Sequence, residues 1–166
     1  MSDYCKLAIF VVVLYVLQTS FFPLIAYHGI SPDFMLLLTV SYAFLKGMEK
    51  GTLMGFITGL MMDLATGTFF GIHAFTHLII GNICGRFANR VYKEQFFLPV
   101  FASLGVTTFN YFILALLMVL LGYRFNPISN VQVTLLPMLI YQLAFAYPVH
   151  YLTYQLDKKL SLKDTN

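Results

Sequence analysis

Charged and turn-forming residues divide the chain into apolar blocks of helical length. Leu7–Tyr27 is the first, and His28-Gly29-Ile30-Ser31-Pro32 after it reads as a turn. Phe34–Leu45 is the second, closed by Lys46-Gly47-Met48-Glu49-Lys50. From Gly51 to Gly85 there is no Lys or Arg. That span of roughly 35 residues would make one straight helix ~53 Å long, far beyond a bilayer core of ~30 Å, so it must fold back. Ala65-Thr66-Gly67-Thr68 is the natural turn, which predicts helices over 51–64 and about 70–85. Arg86–Gln95 is a polar connection, Phe97–Leu121 the fifth helix and Tyr123–Asn130, with Pro127, a loop. The sixth helix covers Val131–Leu156, with Pro137 in its first turns and a kink expected at Pro148. Asp157–Asn166 reads as a polar tail.

Six crossings would place both termini on one side. Lys6, Lys46, Lys50, Arg86, Arg90, Lys93, Lys158, Lys159 and Lys163 then fall on that side, and Arg124 alone on the other. Basic residues concentrate on the cytoplasmic side of membrane proteins, so the termini are expected in the cytoplasm. The second and third helices are short for a full crossing; local thinning of the bilayer or a re-entrant pair would accommodate them.

Composition agrees with lipid as the solvent. The chain has 166 residues, 59% of them hydrophobic and 10% charged, with a mean hydropathy of +0.78. Soluble domains carry roughly 25% charged residues, and one this small could not hide so much apolar surface. The first block exceeds the ~7–15 apolar residues of a signal peptide and is expected to be a retained helix. Cys5 and Cys84 form no disulfide framework and match no metal-ligand spacing. The chain therefore reads as a single six-helix membrane domain over 1–156 with a polar cytoplasmic tail over 157–166.

Small residues recur at nearly every fourth position from Gly47 to Gly71. Within the third helix, Gly51, Gly55, Gly59 and Asp63 drift only ~40° per step and form one groove. Such a groove lets helices approach backbone to backbone in lipid. Its occupant is either another helix of this chain or a partner's helix. Gly81 and Gly85 repeat the spacing on the fourth helix, so the two helices are expected to pack groove to groove. Asp63 neighbours His73 and His77, which share a face at i and i+4. A metal site would want that set but lacks a fourth ligand and an HExxH pattern. A proton or ion relay would want a continuous polar path, which helices one, two and five do not offer. The plainer expectation is that Asp63 ties the turn between helices three and four through Thr66, Thr68 and the backbone, beside a polar pocket. Pro32-Asp33 reads as the cap of the second helix. Asn110 and Gln142 are expected to bond between helices. The basic cluster at Arg86–Lys93 with Lys158–Lys163 could attract anionic lipid, although topogenesis already explains it. No nucleophile–base pair, phosphate-cradling loop or paired carboxylates are present, so no catalytic, cofactor or metal residues are assigned.

The stretch Gly55-Phe56-Ile57-Thr58-Gly59-Leu60-Met61-Met62-Asp63-Leu64, with Gly67, Gly71, His73 and Ala74, resembles the signature region of the bacterial rod shape-determining protein MreD family. Pro32-Asp33 before an apolar run resembles that family's second-helix start, whereas His77 has no assigned place in the pattern. The resemblance implies a non-enzymatic scaffold of the cell-elongation machinery in the inner membrane, active in rod shape and peptidoglycan synthesis. It implies the bitopic protein MreC as partner, an MreB-like filament and peptidoglycan synthases as indirect partners, and membrane lipid around the bundle. It implies no nucleic acid and no cofactor, and self-association stays open. It also implies a fold similar to the substrate-binding subunits of energy-coupling factor vitamin transporters. Membership of that transporter class is the alternative function, disfavoured because Leu7–Tyr27 lacks a second small residue four positions after Ala8.

Overall fold

The computed structural model describes residues 3–26, 29–67, 69–88, 97–122 and 131–161. Tyr27, His28 and Thr68, the connection at 89–96, the loop at 123–130 with Arg124 and Pro127, and the end of the tail with Lys163 lie outside them. The described chain is helical, with no strand. Six α-helices are α1 (Asp3–Val16), α2 (Phe34–Lys46), α3 (Met48–Thr66), α4 (Ile72–Arg86), α5 (Phe97–Leu120) and α6 (Leu136–Ser161).

Several boundaries depart from the hydropathy pattern, each for a local reason. The first block is not one regular helix: α1 passes into a π-helical turn over Leu17–Phe21 and a 3-10 turn over Phe22–Ile25. Pro23, at the start of that 3-10 turn, has no N–H for the i−4 carbonyl, so the ladder changes register there. α3 is longer than 51–64 at both ends. Gly47 (φ 88°) turns the chain out of α2 directly into α3, and Gly67 (φ 62°) closes α3 with a bond from its N–H to the Asp63 carbonyl, 3.0 Å. α4 begins at Ile72 because Gly71 (φ 104°) still belongs to the turn.

A π-helical turn over Val131–Leu135 precedes α6. α6 runs unbroken through Pro148, which leaves the Ala144 carbonyl without its usual donor. It also continues past Leu156 to Ser161, so the first part of the expected polar tail is helix. Asp157 is buried and paired with Lys46 at the end of α2, which pins that last turn to the bundle.

α2 is the central element, packed on α1, α3, α4, α5 and α6. Nearly every residue from Phe34 to Leu45 is buried, and Leu37, Leu38 and Met35 meet Val11, Leu14, Met54 and Val149 in the larger core cluster. Leu36, Val40 and Ala43 pack on Ile80 and Cys84 of α4 in a second cluster. The most extensive helix pair is α3 with α4.

The surface inverts the soluble pattern. Ile140 on α6 is 68% exposed and Leu120 on α5 72%, whereas Thr58, Thr107, His77 and Gln142 are fully buried. Among the described residues three helices are long and apolar enough to cross a membrane: Cys5–Leu24, Val100–Leu120 and Val131–Lys159. Their apolar side chains need lipid as solvent; their polar ones find partners only inside.

Candidate functional site: two carboxylates joined through the inner helices

The glycine stripe decides where everything else sits. A Cβ at Gly55 would lie 2.2 Å from the His77 carbonyl oxygen, and one at Gly59 2.4 Å from that of His73. From the other helix, a Cβ at Gly81 would lie 2.2 Å from the Gly51 carbonyl oxygen and one at Gly85 2.5 Å from Met48 Cα. The obstructing atoms are mostly backbone, so no rotamer change makes room. α4 of the same chain fills the groove of α3 along its length.

That contact carries Asp63 onto the first turn of α4. Gly71 occupies the N-cap and has no side chain to satisfy the orphan amides there. Asp63 does so from the neighbouring helix. Its carboxylate accepts from the N–H groups of Gly71 (2.9 Å), His73 (2.9 Å) and Ala74 (3.1 Å), and from His73 Nδ1 (3.0 Å). A carboxylate only accepts, so His73 carries its proton on Nδ1. The negative charge also faces the positive end of the α4 dipole. Thr66 takes no part: its hydroxyl donates to the Met62 carbonyl.

Asp33 repeats the arrangement on α2. Its Oδ1 accepts from the Leu36 N–H at 2.9 Å, and Gln18 Oε1 accepts from the Met35 N–H at 3.1 Å. Gln18 Nε2 reaches back to Asp33 Oδ1 (3.5 Å) and Met62 Sδ (3.1 Å), and Gln142 Nε2 donates to the Asp33 carbonyl (3.3 Å). Pro32 is buried beside it.

The structure brings the two carboxylates, which the sequence treated as separate, to either side of one buried histidine. His77 is fully buried; its Nε2 points at Asp33 Oδ2 from 3.9 Å, too long for a hydrogen bond, and has no other partner among the described residues. Its Nδ1 lies 3.4 Å from the Thr58 hydroxyl, which is 2.7 Å from that of Thr39. The His73 and His77 rings stand edge to face with centroids 6.3 Å apart. Polar groups of helices one and two therefore enter the site, through Gln18 and Thr39. Gln18 was visible as the one carboxamide in an apolar block; Thr39 and Thr58 carry no such signal, since threonine is common in membrane helices.

Chemically, the arrangement holds helix ends and exposes no nucleophile. Among the described residues no three His, Cys, Asp or Glu side chains converge as a metal set.

A helical bundle with an apolar surface and a polar, hydrogen-bonded interior is an integral membrane protein. The chain belongs to the rod shape-determining protein MreD family, whose sequence model matches residues 3–160, nearly its whole length. It is thus a rod-shape-determining membrane protein of a structural rather than enzymatic family. No curated protein and no solved structure matches it significantly.

Proposed function

We propose that the chain is a six-crossing, non-enzymatic scaffold of the bacterial inner membrane, with both termini in the cytoplasm. It holds the transmembrane helix of an MreC-like bitopic protein and so connects an MreB-like filament inside the cell to peptidoglycan synthases outside. Likeness to the substrate-binding subunits of energy-coupling factor transporters belongs to the same proposal, as a shared scaffold that carries no transported ligand.

The observation that supports the reading best is the closure of the α3–α4 pair. Its seam has no room for a methyl group, and both acidic side chains facing the inner helices hold helix ends. A partner helix therefore meets the apolar outer surface and not the glycine groove. Depletion of the protein tests the role: cells should round up, and a bitopic protein with a periplasmic domain should co-purify with the full chain. Depleted cells that stay rod-shaped and yield no such partner would refute it.

A further inference from the structure

α1 leans on α2 but scarcely touches α3. The gap between α1 and α3 is an apolar groove of about 450 Å³, walled by Val11 and Val12 on one side and by Leu53, Ile57 and Met61 on the other. Lys50 closes one end of it. We propose that this groove binds one acyl chain of an anionic glycerophospholipid, with the lipid phosphate at Lys50.

Depth and charge both support that occupant. From Lys50 to Met61 the α3 wall rises roughly 16 Å at 1.5 Å per residue, about half of a ~30 Å hydrocarbon core and so one leaflet deep. A transmembrane helix of a partner would need the whole thickness. The lining is almost wholly apolar and already faces lipid, since Val12 is 51% and Leu53 60% exposed. Lys50 stands at the first turn of α3, on the end of the bundle where Lys46 and Asp157 pair. That pairing neutralises Lys46 and leaves Lys50 to meet a phosphate. The inference uses only the membrane placement of the chain and holds whether or not a bitopic partner binds.

The test is native mass spectrometry of the full chain released from vesicles of equal phosphatidylglycerol and phosphatidylcholine. One phosphatidylglycerol should be retained in preference to phosphatidylcholine. Lys50→Gln should lower that retention about fivefold, the equivalent of the roughly 1 kcal/mol that one lysine contributes at an anionic surface. Ile57→Trp, which fills the groove, should abolish it, while Leu116→Trp on the exposed face of α5 should not. In the same vesicles, a photoreactive benzoylphenylalanine at position 57 should add the mass of a lipid. Equal retention of the two lipids, retention unchanged in Ile57→Trp, or a crosslink to a polypeptide, whether a partner or a second copy, would overturn the proposal.

Discussion

Gly59→Ala should unfold the protein far more easily than its single methyl suggests. An ideal Cβ at position 59 lies 2.4 Å from the His73 carbonyl oxygen and 2.5 Å from Ala74 Cα, where ordinary contact begins at 3.4 Å. Both obstacles are backbone, so α4 as a whole must retreat by about 1 Å, the difference between those distances. Overpacking of this kind costs about 1–3 kcal/mol. The same retreat stretches the bonds that Asp63 makes to the first turn of α4, now 2.9–3.1 Å, toward 4 Å. Losing one such bond to a charged acceptor adds about 1.5–3 kcal/mol. The expected destabilisation is therefore about 3 kcal/mol or more. Titration of the bicelle-embedded protein with SDS measures it, with Gly105→Ala as the matched control. Gly105 is also helical, but nothing lies within 4 Å of its Cβ position, so its replacement should be neutral or slightly stabilising. If Gly59→Ala and Gly105→Ala unfold at the same SDS fraction as the parent, the backbone-to-backbone seam is not what holds α3 and α4 together.

Asp63→Asn should cost about 1–3 kcal/mol, because a carboxamide offers one acceptor oxygen to four donors; amide exchange at Gly71, His73 and Ala74 should accelerate ahead of the rest of α4, and uniform protection would count against the cap. Asp33→Ala should remove the α2 cap at about 1–2 kcal/mol and speed exchange at Leu36, whose N–H donates to the Asp33 carboxylate. Asp157→Ala should loosen only the last turns of α6, read as faster exchange in the peptide ending at Ser161 with little change in global unfolding. His77→Leu should be tolerated in folding, because the imidazole gives up only the long 3.4 Å contact of Nδ1 with Thr58, which keeps its bonds to Gly55 and Thr39. Severe unfolding of that variant would show that the long Asp33–His77 approach contributes to the fold.

The helical blocks, the membrane class and the family motif were all legible along the chain, because each depends on local composition and spacing. Charges and glycines mark where helices stop: a charge is costly in hydrocarbon and a positive φ is open to few other residues. One error sits where a distant contact overrides local preference. Asp157 reads as tail until Lys46 is placed beside it; the break in Leu7–Tyr27 is local, at Pro23, and hydropathy alone passes over it.

The sequence by itself determined that this protein lives in lipid, where its helices lie, and that α3 carries a stripe with no side chains. Only the tertiary structure decided what covers that stripe and which polar groups meet. Hydropathy assigns each residue to lipid or interior but says nothing about its partner. Asp33 and His77, or Gln142 and the Asp33 carbonyl, are brought together by the packing of helices far apart in the chain. The glycine seam sets one part of that packing: with the α3 and α4 backbones in contact, Asp63 lies on the α4 amides it caps.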